Sequence, residues 1–235
     1  MTPQSVLDLV KRTAKISAAG NYTDQNATDL LKHLNIRCFQ VWRFHDWEFS
    51  LDDLSFSVGP ADYDKTLPAT TGEVLELAIQ GESGYLRRHS RREYLQWLKR
   101  NNTTDTGSLV GYIHRGRDSS GNIKLRFFAT PSSAQTVEGL GKKRLTAITA
   151  ADVAAGTAFA YFPEEMHDII YRLVLADGYR MNSDDRADTE EKWAMAELGR
   201  LKGQEESQAD LDPGSPPPDY IRFVHRNRGS GSRTA

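Results

Sequence analysis

Residues 23–58 read TDQNATDLLKHLNIRCFQVWRFHDWEFSLDDLSFSV, and within this stretch the spacing of the apolar side chains changes from helical to alternating. Ala27, Leu30, Leu31, Leu34, Cys38, Val41 and Trp42 fall at offsets 0, 3, 4, 7, 11, 14 and 15, which is one stripe of a helix. Thr23 offers an N-cap and Asp24 an acid for the first turn. From Trp47 the period becomes two. Trp47, Phe49 and Leu51 alternate, and Leu54, Phe56 and Val58 alternate again after a one-residue shift at Asp52-Asp53, where a turn or bulge is expected. The chain thus passes directly from a helical layer into a sheet.

Upstream, Val6, Leu9, Val10 and Ala14 lie at helical spacing with Asp8, Lys11 and Arg12 between them, which predicts an amphipathic helix over 4–18, ended by Gly20-Asn21. Downstream, Leu75, Leu77 and Ile79 predict a strand. Residues 109–114 and 123–128 predict two more, joined as a hairpin through Asp118-Ser-Ser-Gly-Asn122. Ser90-Arg-Arg-Glu93 is a capping-box pattern ahead of Tyr94, Leu95 and Leu98, so a short helix is expected over 91–100. The segment 129–156, rich in Ser, Thr, Ala and Gly, reads as loop with a strand near 144–148.

Helical spacing returns after Pro163, which suits a first helical position. Glu164 and Glu165 favour the helix dipole, and Met166, Ile169, Ile170 and Leu173 share one face. Asn182-Ser183-Asp184 breaks the pattern. A last helix, 185–206, carries Ala187, Ala194, Leu198 and Leu201 on a narrow stripe and Asp188/Lys192 at a favourable spacing. Two helical hairpins from opposite ends of the chain would bury their stripes against each other. The expected fold is α+β: residues 1–46 and 162–206 form a helical bundle, 47–161 an inserted antiparallel β module, and 207–235 an extended C-terminal arm.

Composition bounds the function. With 235 residues, 38% of them hydrophobic, nine Tyr, nine Phe and four Trp, the chain can bury a core. Thirty basic residues face 32 acidic ones, and the net charge of −2 supplies no global field toward nucleic acid or anionic lipid. Cys38 is the single cysteine, no run has the ~18 to 20 apolar residues of a membrane span, and no secretory h-region follows the N-terminus. The expectation is a soluble protein of a reducing compartment.

Sites for chemistry are sparse. Glu164-Glu-Met-His167 has the Glu-x-x-His spacing of di-iron bundles but no second copy, so it reads as a polar helix start. Gly139-Leu-Gly-Lys-Lys143 lacks the length and the Ser/Thr of a phosphate loop and reads as a solvated turn. No Gly-x-Ser-x-Gly elbow occurs, and Cys38 lies on an apolar helix face. The expectation is no catalytic residue, no metal and no cofactor. Arg87, Arg88, Arg91 and Arg92 form the one dense basic run, flanked by Tyr85, Tyr94 and Trp97. That composition fits either a nucleic-acid contact or an acidic patch on a protein partner or neighbouring subunit. Beyond residue 206, three consecutive prolines, 216–218, favour an extended linker. It leads to Tyr220, Ile221, Arg222, Phe223, Val224, His225 and Arg226, a β-prone segment that either adds a strand to a partner's sheet or packs back on its own chain.

The order of these elements resembles the head-to-tail adaptor (connector, or head-completion) proteins of tailed bacteriophages over residues 5–206. The likeness is carried by the helix ending Val41-Trp42 and followed by Asp46-Trp-Glu-Phe49, and by Leu54-Ser-Phe-Ser-Val58 leading to Tyr63 and Leu67-Pro68. It continues with Ile123-Lys-Leu-Arg-Phe127 leading to Thr130-Pro131, and with Phe162-Pro-Glu-Glu-Met-His-Asp168 opening a helix. The resemblance implies a non-enzymatic virion protein of the neck, assembled in the host bacterial cytoplasm as a homo-oligomeric, dodecameric ring between the portal protein and the tail, nozzle or other neck proteins. It implies a bundle forming the ring wall and a C-terminal arm reaching the portal through residues 220–226. DNA would pass through the channel without sequence readout, and no membrane is involved. The alternative is a nucleic-acid-binding accessory protein acting through Arg87, Arg88, Arg91 and Arg92.

Overall fold

The computed structural model describes residues 1–16, 25–60, 62–100, 107–129, 131–156, 159 and 161–211. In chain order the helices are α1 (Pro3–Thr13), α2 (Gln25–Phe44), α3 (Arg91–Arg100), α4 (Ala150–Ala154), α5 (Glu164–Met181) and α6 (Arg186–Leu211). The strands are β1 (Leu51–Val58), β2 (Asp64–Thr66), β3 (Thr71–Ile79), β4 (Arg87–Arg88), β5 (Gly111–Arg117), β6 (Ile123–Phe128) and β7 (Gln135–Lys143). The class is α+β, as the periodicities predict. The chain divides into two units, Met1–Phe49 with Leu145–Ala235, and Ser50–Arg144.

The first unit is helical. Helix α5 lies against α1, α2 and α6, so segments from both ends of the chain do meet. Val6, Leu7 and Val10 from α1, Leu30, Leu34, Cys38 and Val41 from α2, and Ile169, Ile170 and Leu173 from α5 are buried in one cluster, which Ala194 and Leu198 of α6 complete. Gly178 lets α1 approach α5: a Cβ there would lie 3.0 Å from Val10 and 3.2 Å from Ala14. Helix α1 is capped by Thr2, whose hydroxyl accepts from the Ser5 amide at 3.1 Å, and Pro3 needs no partner at the first helical position. It stops at Thr13, before the expected end, because Lys15 turns into the left-handed region at φ 54°. The proposed stops and caps at Gly20-Asn21 and Thr23 lie outside the described residues.

A charged knot sits inside this apolar frame. The Arg37 guanidinium on α2 donates through Nε to Asp177 Oδ2 on α5 at 2.7 Å and through Nη1 to Glu191 on α6 at 2.8 Å. Arg180 closes the network on Asp177 and Glu191. At the far end of α2 an aromatic cluster forms. Trp42 meets Phe49, Tyr161 and Phe162 edge to face at 5.8–5.9 Å, contacts of about 0.5–1.5 kcal/mol each.

Three expectations change here. Trp47 and Phe49 do not open the strand: Trp47 is fully buried in the helical core, its indole N–H donates to Val41 O at 2.8 Å, and a 3-10 turn, Glu48–Ser50, follows. Likewise the stretch assigned to the β module through residue 161 rejoins the helical unit at Leu145, because Val153 and Phe159 are buried in the helical core and Leu145 and Ile148 pack against it. Finally α6 continues to Leu211, past the expected end at 206, since no helix breaker precedes Pro213 and only the residue before proline resists helix.

The second unit holds two sheets. One has the order β1-β7-β3, all antiparallel, and the other the order β2-β6-β5-β4. Leu54 and Val58 of β1, Val74, Leu77 and Ile79 of β3 and Val137 of β7 share a core with Tyr112 of β5 and Ile123, Leu125 and Phe127 of β6. The expected bulge at Asp52-Asp53 is absent. β1 pairs with β7 in unbroken register from Leu51↔Lys142 to Val58↔Gln135, and the phase shift in the sequence arises because Trp47 and Phe49 belong to the other unit. The irregularity lies in β3, between Val74 and Glu76, so that Val74 and Leu77 both point into the core although three residues apart. The β5–β6 hairpin forms as predicted, its turn held by Asp118 Oδ1, which accepts from the Ser120 and Asn122 amides at 2.9 and 2.8 Å.

The segment read as a solvated turn, Gly139-Leu-Gly-Lys-Lys143, is part of β7, the central strand of its sheet. Its glycines serve packing rather than turning: a Cβ on Gly139 would lie 2.2 Å from Glu76 O, and one on Gly141 2.9 Å from the Leu54 side chain.

Candidate functional site

The basic run occupies an edge of the β2-β6-β5-β4 sheet. Arg87 and Arg88 form β4, which runs parallel to β5 and pairs with Gly111 and Tyr112. The His89 amide donates to Tyr112 O at 2.9 Å. Gly111 permits this close approach, since a Cβ would meet Arg87 O at 2.5 Å. The chain then turns into α3 through the predicted capping box. The Ser90 amide donates to Glu93 Oε2 at 2.6 Å and the Glu93 amide donates to Ser90 Oγ at 3.2 Å. These bonds hold the Glu93 carboxyl below its usual range, with His89 and Arg87 adding to the effect. The box fixes where Arg91 and Arg92 emerge.

Helix α3 is clamped by its aromatic face. Tyr94 and Trp97 stack on Phe128 of β6 at 5.3 and 5.4 Å, nearly parallel, and Ile113 completes the cluster. Arg126 donates to the Tyr94 hydroxyl at 3.1 Å and to Asp64 at 2.8 Å. The opposite face of α3 is left to solvent: Arg91, Arg92, Leu95 and Lys99 are exposed, Leu95 by 54%. Tyr85 and Val110 are exposed beside β4 and β5. Arg87 faces Glu93 at 3.6 Å, and among the described residues no carboxylate lies within ion-pair distance of Arg88, Arg91 or Arg92. Of the three aromatics flanking the run, Tyr94 and Trp97 have their ring faces stacked against Phe128, while Tyr85 is exposed. Sequence spacing located the basic run, but only the fold shows which rings it can use.

The other sequence candidates resolve plainly. The residues Tyr220, Ile221, Arg222, Phe223, Val224, His225 and Arg226 lie outside the described residues. His167 accepts no metal geometry from Glu164; its Nε2 meets Phe162 O at 3.0 Å and its Nδ1 the Met1 amine at 3.0 Å. Cys38 is buried, and desolvation pushes its thiol up to about 12. Among the described residues no group of three His, Cys, Asp or Glu could hold a metal ion, and no helix is long and apolar enough to cross a membrane. A cleft of about 120 Å³ in the helical unit, which no motif signalled, is lined by Pro3, Leu145, Ile148, Phe159, Tyr161 and Phe162, with Asp152 at its border.

The described residues thus form a helical unit interrupted by a β unit, whose basic edge is fixed by a cap and an aromatic clamp. The chain belongs to the SU10 adaptor protein family, whose model matches residues 1–224. Among solved structures, a chain from "Neck of empty GTA particle computed with C6 symmetry" is similar at 11% identity, with a TM-score of 0.30, over 85% of this chain and 91% of that one. No curated protein matches the chain.

Proposed function

We propose that this chain is a non-enzymatic structural protein of a virion neck, the adaptor between the portal and the tail of a tailed phage. Membership in an adaptor family over residues 1–224 is the observation that carries the reading, and the match reaches into the arm segment 220–226. Copies assemble as a ring, a dodecamer on a twelve-fold portal, with the helical unit as the wall, and DNA passes through the channel without being read. The arm adds a strand to the portal, and repetition around the ring gives avidity to a weak single contact. The three prolines at 216–218 support this role, since a stiffened linker loses less entropy on docking.

Electron microscopy of the full chain mixed with its portal tests the reading, and a ring bound to the portal is the expected image. Removing residues 212–235, beyond the end of α6, should leave a folded chain that no longer attaches. Normal attachment by the truncated chain excludes the arm as the docking device.

A further inference from the structure

The charge of the chain is unevenly divided. Residues 50–144 hold 14 Lys and Arg against 11 Asp and Glu, a net of +3, whereas residues 1–49 with 145–235 hold 16 against 21, a net of −5. The excess positive charge in the β unit is concentrated where a contact could use it. Arg91 and Arg92 have no ion-pair partner among the described residues, and Leu95, one turn beyond them on α3, is exposed by 54%. Two cations beside an exposed apolar residue are interface composition: the leucine supplies the anchor and the arginines the orientation.

The helical unit carries a matching surface. Its 120 Å³ cleft is walled by Leu145, Ile148, Phe159, Tyr161 and Phe162 and bordered by Asp152. Phe162 leads directly into the first turn of α5, where Glu164 and Glu165 are exposed and no described cation lies within ion-pair distance. An apolar cleft with Asp152 in its lining, and two exposed acids two and three residues beyond its Phe162, complements an apolar side chain flanked by cations.

We propose that the α3 face of one copy, Leu95 with Arg91 and Arg92, docks on the cleft of a second copy, at Asp152 and the neighbouring Glu164 and Glu165. Two basic edges repel each other, so this surface does not pair with itself about a two-fold axis. It meets a different surface on the next copy, which is the head-to-tail contact that closes into a ring. The inference rests on the adaptor reading and names the contact that builds the ring wall. Arg87 is set apart, because it faces Glu93 and steadies the cap.

The test uses full-length chains and portal particles, with ring occupancy counted by electron microscopy and folding checked by circular dichroism. One variant carries Arg91→Glu and Arg92→Glu, and the other Glu164→Lys and Glu165→Lys. Each alone should lose at least tenfold in ring occupancy, more so at low salt. An equal mixture should recover it, since alternating copies restore an opposite-charge pairing at every junction. Wild-type occupancy by either folded variant, or a mixture no better than its components, overturns the contact. A wild-type chain that forms no ring on the portal instead overturns the adaptor reading itself.

Discussion

Arg37 on α2 and Asp177 on α5, 140 residues apart in sequence, face each other as a two-bonded fork in the interior of the helical unit, 9% and 6% exposed. The pair locks the register of a helix from the front of the chain against one from the back. Removing Asp177 leaves the buried guanidinium with Glu191 as its one carboxylate partner, and breaking a buried pair costs up to about 3–5 kcal/mol. Asp177→Ala is therefore expected to lower the urea midpoint, while Arg37→Met with Asp177→Leu costs less than the single change, because the buried guanidinium is removed with its carboxylate. A double variant as unstable as the sum of its singles would contradict this account.

Gly139 separates packing from turning. Replacing it with Ala puts a methyl group 2.2 Å from Glu76 O, at the centre of the three-stranded sheet, and should cost about 1–3 kcal/mol or more. Gly84→Ala serves as the control, since nothing lies within 4 Å of its added Cβ. Equal melting temperatures for the two variants would show that β7 does not hold this position.

The pH response follows from burial. Desolvation, with Arg88 and Arg117 adding to it, holds the His114 imidazole below its usual range, and His167 is lowered by desolvation too. The unfolded chain then binds protons that the folded chain resists. The stability is present above the ordinary histidine value of about 6.5 and is lost as pH falls through the folded one. Denaturation at pH 7.5 and pH 5 should show the loss, and His114→Gln should flatten its slope. A chain more stable at pH 5 reverses the sign and refutes the assignment.

Cys38, which helps line the cleft, provides a probe of opening in the helical unit. It is 3% exposed, and its thiol, pushed up to about 12, holds almost no thiolate near neutrality. A thiol reagent should label it only as fast as the helical unit opens, and rapidly in urea. Fast labelling of the native chain would place Cys38 at the surface.

Much of the fold is legible in residue order alone. Helix α2 announces itself because its buried face repeats at helical spacing for four turns, and α3 because Ser90 and Glu93 are three residues apart. The arginines of the candidate site were equally plain, since four cations within six residues need no fold to be noticed. Strand β7 was not legible: its glycines mean turn in isolation and close strand approach in a sheet, and only the partner strands distinguish the two. Trp47 and Phe49 alternated like a strand while belonging to a helical core, because a 3-10 turn can mimic a short run of period two. Neither the role of Tyr94 and Trp97 as a clamp nor the cleft beside α5 had a local signal, since both depend on residues far apart in the chain.

The residues of α4 read as loop in the sequence, and the strand expected near 144–148 does not form. The sequence by itself determined that α1, α2, α3, α5 and α6 exist, where the α3 capping box and the β5–β6 turn fall, and that the charge clusters at residues 87–92. These are properties of neighbours within a few bonds or one helical turn. Tertiary structure alone decided that α5 brings Asp177 to Arg37, that the glycines of β7 admit strands on both sides, and that Tyr94 and Trp97 pack on Phe128 while Tyr85 stays exposed. Each of those outcomes depends on which surfaces exclude water together, and that is fixed only when distant segments pack.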